Sequence, residues 1–172
     1  MRKLKKKSES RCLSREDIFN SVNRLLSVRP RSKFELERYI RGKTKDLNDI
    51  EFLLSKIPED NDKEFVEYIC FYRVKRLGLS IKQTQVFLMS KGVDKHTIDT
   101  YIDVDEIENI KSIIRRNSSR FKFNKAETLE GRDKNDFFKF FINRGFKNSS
   151  ISSVWEEFSD RDSYKMYSEG IE

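Results

Sequence analysis

Apolar residues in this chain recur at helical spacing. After Arg15, the residues Ile18, Val22, Leu25 and Leu26 return every three or four positions and make one face of a helix. Arg29-Pro30 stops it, because a proline disfavours helical geometry in the residue before it. Ser32 opens a second helix. Glu35 follows three residues on, so Ser32-x-x-Glu35 predicts a capping box, in which hydroxyl and carboxylate each take a free backbone N–H. Leu36, Tyr39 and Ile40 face inward. Gly42 is the expected end, since glycine accepts the left-handed conformation there. Leu47, Ile50, Leu53, Leu54 and Ile57 form a third apolar face, ended by Pro58.

The pattern then returns. Asp62 is expected to cap a helix carrying Phe65, Val66, Ile69, Cys70 and Leu77, with Leu77-Gly78 as the turn. Ser80-x-x-Gln83 is a second capping box, opening a helix with Ile81, Phe87 and Leu88. Gly92-Val93 ends it, and Asp94 caps a helix with Ile98, Tyr101 and Ile102. In a looser third copy, Ile107, Ile110 and Ile114 mark a helix running toward Arg120. Residues 122–132 show no clear period. Asp133 caps a phenylalanine-rich helix (Phe137, Phe138, Phe141) ended by Gly145-Phe146. Ile151, Val154, Trp155 and Phe158 define a last helix, and residues 159–172 are expected to fray. Gly92 lies 50 residues after Gly42, and Gly145 lies 53 after Gly92. A period near 50 with three helices per unit predicts an all-α tandem array. Its units are 15–58, 62–102 and 103–158, with no strand pattern in competition.

Composition fits that picture. Charged residues make up 38% of the chain against 36% hydrophobic, with 2 prolines and 6 glycines, which suits an elongated helical protein with a large surface. The net charge is +7, but residues 1–14 form a basic tail; with Arg15 that end carries seven bases and one acid. The tail 159–172 is acidic. Cys12 and Cys70 form no disulfide or metal pattern, which fits a reducing, cytoplasmic setting. No apolar run follows Lys7, so no secretory signal is expected, and no segment has the length of a membrane span.

Three stretches together resemble the RecX family of bacterial recombination regulators: "RPRSKFELERYI", "EFVEYICFYRVKRLGLSIKQTQVFLMSKGVDKHTID" and "FFKFFINRGFKNSSISSVWEEF". The shared marks are an RPRS turn ahead of a charged helix, an F-x-x-Y helix leading into a glycine turn, and helix ends of the form K-G-[V/F] and R-G-F. The likeness runs from about Ile18 to Phe158. It departs at "GKTKDLND", at Leu77-Gly78-Leu79-Ser80 and over 122–132. The resemblance implies a curved array of three-helix repeats acting as a monomer. It implies binding in the groove of the RecA–DNA filament and inhibition of recombinase, ATPase and coprotease activities, hence modulation of DNA repair and the SOS response. Such a protein is not an enzyme and needs no cofactor.

The residues themselves offer little catalytic chemistry. His96 is the single histidine, and no cysteine–histidine cluster or phosphate-binding glycine loop accompanies it. Glu51, Glu59, Asp60 and Asp62 read as caps and solvated turns. Basic residues recur near matching turns: Arg29 and Arg31, then Arg73, Lys75 and Arg76, then Arg115, Arg116, Arg120 and Lys122. Tandem repeats would line these up as a patch suited to a polyanion or an acidic protein groove. The expected partners are the RecA filament and, weakly and without sequence preference, single- or double-stranded DNA. Phe19 and Phe34 fit a core, whereas Phe121 and Phe123, flanking Lys122, are candidates for stacking on bases. A stand-alone nucleic-acid binder and a helical scaffold for another protein stay open as alternatives.

Overall fold

A computed structural model describes residues 13–121 and 133–168, with side chains described as far as 159. The described residues are helical, with no strand among them. They form two compact units. The first takes the described residues up to Phe65 together with Lys91–Val93. The second takes Val66–Ser90 and the described residues from Asp94 onward.

In the first unit, α1 (Arg15–Val28), α2 (Lys33–Lys43) and α3 (Leu47–Leu54) pack on one another. Ile18, Val22, Leu36, Ile40, Ile50, Leu53 and Ile57 close the core, as the periodicity predicts. Each helix starts on a side-chain cap: Ser14, Ser32 and Asp46 accept backbone N–H groups of the first turn.

The second unit contains most of a longer helical run. It begins as α4 (Asn61–Tyr68), winds as a π-helix over Ile69–Val74, and ends as α5 (Lys75–Leu77). There follow α6 (Ile81–Ser90), α7 (Lys95–Tyr101), α8 (Glu106–Arg116), α9 (Ser118–Phe121), α10 (Lys134–Ile142) and α11 (Asn148–Ser168). Its main core joins isoleucines of α8 to Phe121, Phe137, Phe140, Phe141 and Phe146, and to Ile151, Val154 and Phe158 of α11. Cys70 is buried, and burial pushes its thiol pKa up.

Several expectations need correction. Gly42 does not end α2; it lies inside the helix, and Thr44 is the C-cap. Among the described residues the left-handed glycines are Gly78, Gly92 and Gly145. Asp62 lies inside α4, and its carboxylate accepts the Lys33 N–H of α2 at 2.6 Å instead of capping its own helix. Only half of the Ser32–Glu35 box forms. Ser32 accepts the Glu35 N–H at 3.1 Å, while the Glu35 carboxylate turns to Lys91 at 3.1 Å. The Ser80–Gln83 box is complete, with both bonds at 3.2 Å. Leu47 is 73% exposed, as the first residue of α3. Leu77 is exposed because each residue that a π-turn inserts rotates later positions by about 100°. On α8, Ile107 faces out while Glu106 and Asn109 are buried. Phe34 is half-exposed, and Phe121 is fully buried in the second unit's core, so it is unavailable for stacking. The last helix continues through Ser168, past the expected fray at 159.

Candidate functional site: the arginines at the helix turns

The turns that carry the arginines are held by buried polar contacts that recur in both units. In the first unit, the Ser32 hydroxyl donates to the Lys91 carbonyl at 2.6 Å, and the Asn61 amide donates to the Arg31 carbonyl at 2.7 Å. In the second, Ser80 donates to the Arg144 carbonyl at 2.9 Å, and Asn109 donates to the Leu79 carbonyl at 2.8 Å. Serine and asparagine are each displaced by 48 residues between the two arrangements. The carbonyls that accept from the two serines belong to the residues just before the left-handed Gly92 and Gly145. Each following helix also has its first N–H taken by a carboxylate: Lys33 by Asp62, and Ile81 by Glu106 at 2.9 Å. Unpaired buried polar groups are costly, so these partners fix the backbone from which the basic side chains project.

The predicted basic residues meet different fates. Arg29 donates to the Pro30 carbonyl at 2.9 Å and lies 3.7 Å from Glu35. Arg31 lines a cleft of about 490 Å³ with Arg38, Tyr39 and Lys43, and its Nε is buried without a hydrogen-bond partner. Arg73 stacks on Phe87, 3.9 Å from the ring centre, and Lys75 lies 4.9 Å over Phe71. Arg115 pairs with Glu108 at 3.1 Å. Lys122, Phe123 and the 122–132 stretch lie outside the described residues, as do Cys12 and nearly all of the basic tail.

Arg116 and Arg120 are brought together in the second unit, with Arg76 contributing its backbone carbonyl. Arg116 Nη1 donates to the Arg76 carbonyl at 2.6 Å, and its Nε to the Ser112 carbonyl at 3.1 Å. Its Nη2 lies over Gly78, where a Cβ would sit only 2.7 Å away. Glycine at 78 therefore serves both the left-handed turn and the close approach of the guanidinium. Arg120 lies 4.5 Å over the Phe140 ring. Arg144 lies 3.6 Å over the same ring and donates to the Phe140 carbonyl at 3.2 Å.

Sequence reasoning missed Arg144. It precedes Gly145 as Lys91 precedes Gly92, which is the signal that would have found it. Together, Gln83, Arg116, Asn117, Arg120, Phe140 and Arg144 line a cleft of about 450 Å³, with no acidic residue among its described lining. Burial, and then the charge of Arg120, pull the Arg144 pKa below its ordinary value. His96 is exposed in the first turn of α7. Among the described residues, no cluster of three or more His, Cys, Asp or Glu could hold a metal, and no helix is long and apolar enough to cross a membrane.

No family model matches the chain, and no solved structure matches it. The chain is 31% identical over 88 residues to a curated protein of Pectobacterium atrosepticum named "Regulatory protein RecX". The matched stretch covers 49% of this chain and 51% of that protein, so the chain spans about half the length of the curated relative. Over about half of its length the chain is thus similar to a protein named for the RecX family, the family that its RPRS turn and glycine-ended helices resemble.

Proposed function

We propose that this chain is a RecX-like regulator that binds in the groove of the RecA–DNA filament. There it inhibits recombinase, ATPase and coprotease activities, and so modulates DNA repair and the SOS response. It acts in the cytoplasm as a monomer, without catalysis or cofactor. The identity to a named RecX protein is the observation that carries this reading. The recurrence of one serine–asparagine arrangement 48 residues apart supports a modular build of repeats over 15–58, 62–102 and 103–158. The proposed contact set is Arg29, Arg31, Arg73, Lys75, Arg76, Arg115, Arg116, Arg120 and Lys122, touching recombinase and weakly touching DNA.

The test is ATP hydrolysis and strand exchange by the cognate RecA on single-stranded DNA, with and without this protein. Inhibition is expected at about 1 μM, and unchanged rates at that concentration refute the reading. Naked DNA is the control. A binder that owes its affinity to several phosphates loses it steeply with salt, with a log–log slope of about −0.9 per phosphate on duplex DNA. A steep slope with no effect on RecA would point instead to a stand-alone nucleic-acid binder.

A further inference from the structure

We infer that the cleft formed by Arg116, Arg120 and Arg144 around the Phe140 ring is a binding site for a phosphate group. Four observations carry it. Three guanidinium groups line one cleft, with no acidic residue in its described lining. Like charges gathered in this way repel one another, and an anion between them removes that cost. Two of the three are fixed in place by backbone. Arg116 is held by the Arg76 and Ser112 carbonyls, and Arg144 by the Phe140 carbonyl. These bonds use part of each guanidinium's five N–H donors and hold its plane in position before a ligand arrives, so little rotamer entropy is lost on binding.

The third observation is that the fold makes room for the array. Gly78 lets Arg116 lie against the backbone, and the Phe140 face supports both Arg120 and Arg144. The fourth is the neutral donor capacity beside the charges: the Gln83 amide accepts the Ser80 N–H through its oxygen and keeps its NH₂, and Asn117 gives one of its two amide N–H groups to the Ile113 carbonyl and keeps the other. Tetrahedral phosphate, with several acceptor oxygens, can engage donors arriving from several directions. A planar carboxylate has two oxygens and pairs with one guanidinium edge to edge. The site is local to the second unit and its phosphate chemistry does not depend on RecA, so it stands or falls apart from the regulatory reading.

The test is pyrophosphate binding by the full chain, followed by calorimetry and by the guanidinium N–H resonances. Arg144→Gln and Arg116→Gln are each expected to weaken pyrophosphate about tenfold or more. Arg144→Lys is expected to retain part of the affinity, and Arg24→Gln, exposed on α1 and outside the cleft, to retain all of it. Circular dichroism establishes that each variant is folded, and Arg144→Gln carries the test if Arg116→Gln is not.

A parallel arm with a short oligothymidylate separates two sources of the phosphate. If its affinity falls with pyrophosphate affinity in Arg144→Gln, the cleft holds a nucleic-acid phosphate. If it is unchanged, the cleft holds a free phosphate compound. Three results would overturn the proposal: no saturable pyrophosphate binding up to about 10 mM, wild-type affinity in folded Arg144→Gln, or stronger competition by an oligoglutamate peptide than by pyrophosphate.

Discussion

Glu106→Gln is the most direct probe of how the second unit is held together. Glu106 is 4% exposed at the start of α8. Its Oε1 accepts the Ile81 N–H, the first of α6, at 2.9 Å. Its Oε2 accepts the Lys147 N–H, just before α11, and the Ser150 hydroxyl, both at 3.1 Å. One carboxylate therefore serves the starts of two helices, where free N–H groups and the macrodipole both favour negative charge. Glutamine keeps the shape but removes the charge and turns an NH₂ toward one set of donors. A hydrogen bond to a charged group is worth about 1.5–3 kcal/mol, and glutamine forfeits at least one outright, so a loss of about 2–3 kcal/mol is expected. In a chain of this size that corresponds to a fall in Tm of roughly 5–10 °C. Urea unfolding followed by circular dichroism measures it, with the m-value unchanged. Glu108→Gln is the internal control. That residue is exposed and paired only at the surface with Arg115, so its change stays within about 0.5 kcal/mol. If Glu106→Gln is as mild as Glu108→Gln, the two-helix role of this carboxylate is wrong.

Two glycine substitutions should have opposite signs in the same denaturation assay. Gly42→Ala adds a Cβ in open space within α2 and is expected to stabilise by about 0.5–1 kcal/mol. Gly92→Ala places a Cβ 2.5 Å from Phe34 Cβ at φ 76, so a loss of about 2 kcal/mol or more is expected; equal effects of the pair would refute this account. Ser32→Ala removes the α2 cap and the bond to Lys91, costing about 2 kcal/mol, whereas Arg31→Ala is expected to lower affinity for RecA filaments with little loss of stability. A purely destabilising Arg31→Ala would count against its place in the contact set. The Thr97 hydroxyl and N–H hold the exposed Asp94 carboxyl below its ordinary pKa. Its help to α7 is therefore complete above the unfolded-state value and is lost as pH falls through the lower folded one. An NMR titration of Asp94 with an unshifted midpoint would contradict this.

The helix-forming information in this chain is local and could be read from it. Ser32, Ser80, Asp94 and Asp133 cap helices because each needs only a backbone N–H two or three residues away. Ile18, Leu36, Ile110 and Val154 are buried because helical periodicity alone puts them on apolar faces. What tertiary structure decided was where long or charged side chains find partners. Glu35 leaves its local N–H for Lys91, 56 residues on, because an ammonium group there outcompetes the closing half of the box. Asp62 serves Lys33 across 29 residues. Gly42 and Gly92 look alike in sequence, but only Gly92 is left-handed and pressed against Phe34. Arg144, 28 residues beyond Arg116, joins the cleft because Phe140 and the backbone carbonyls hold it there. Caps and faces are set within a turn or two of helix, whereas a guanidinium on a flexible stem is placed only by the surface that folding assembles around it.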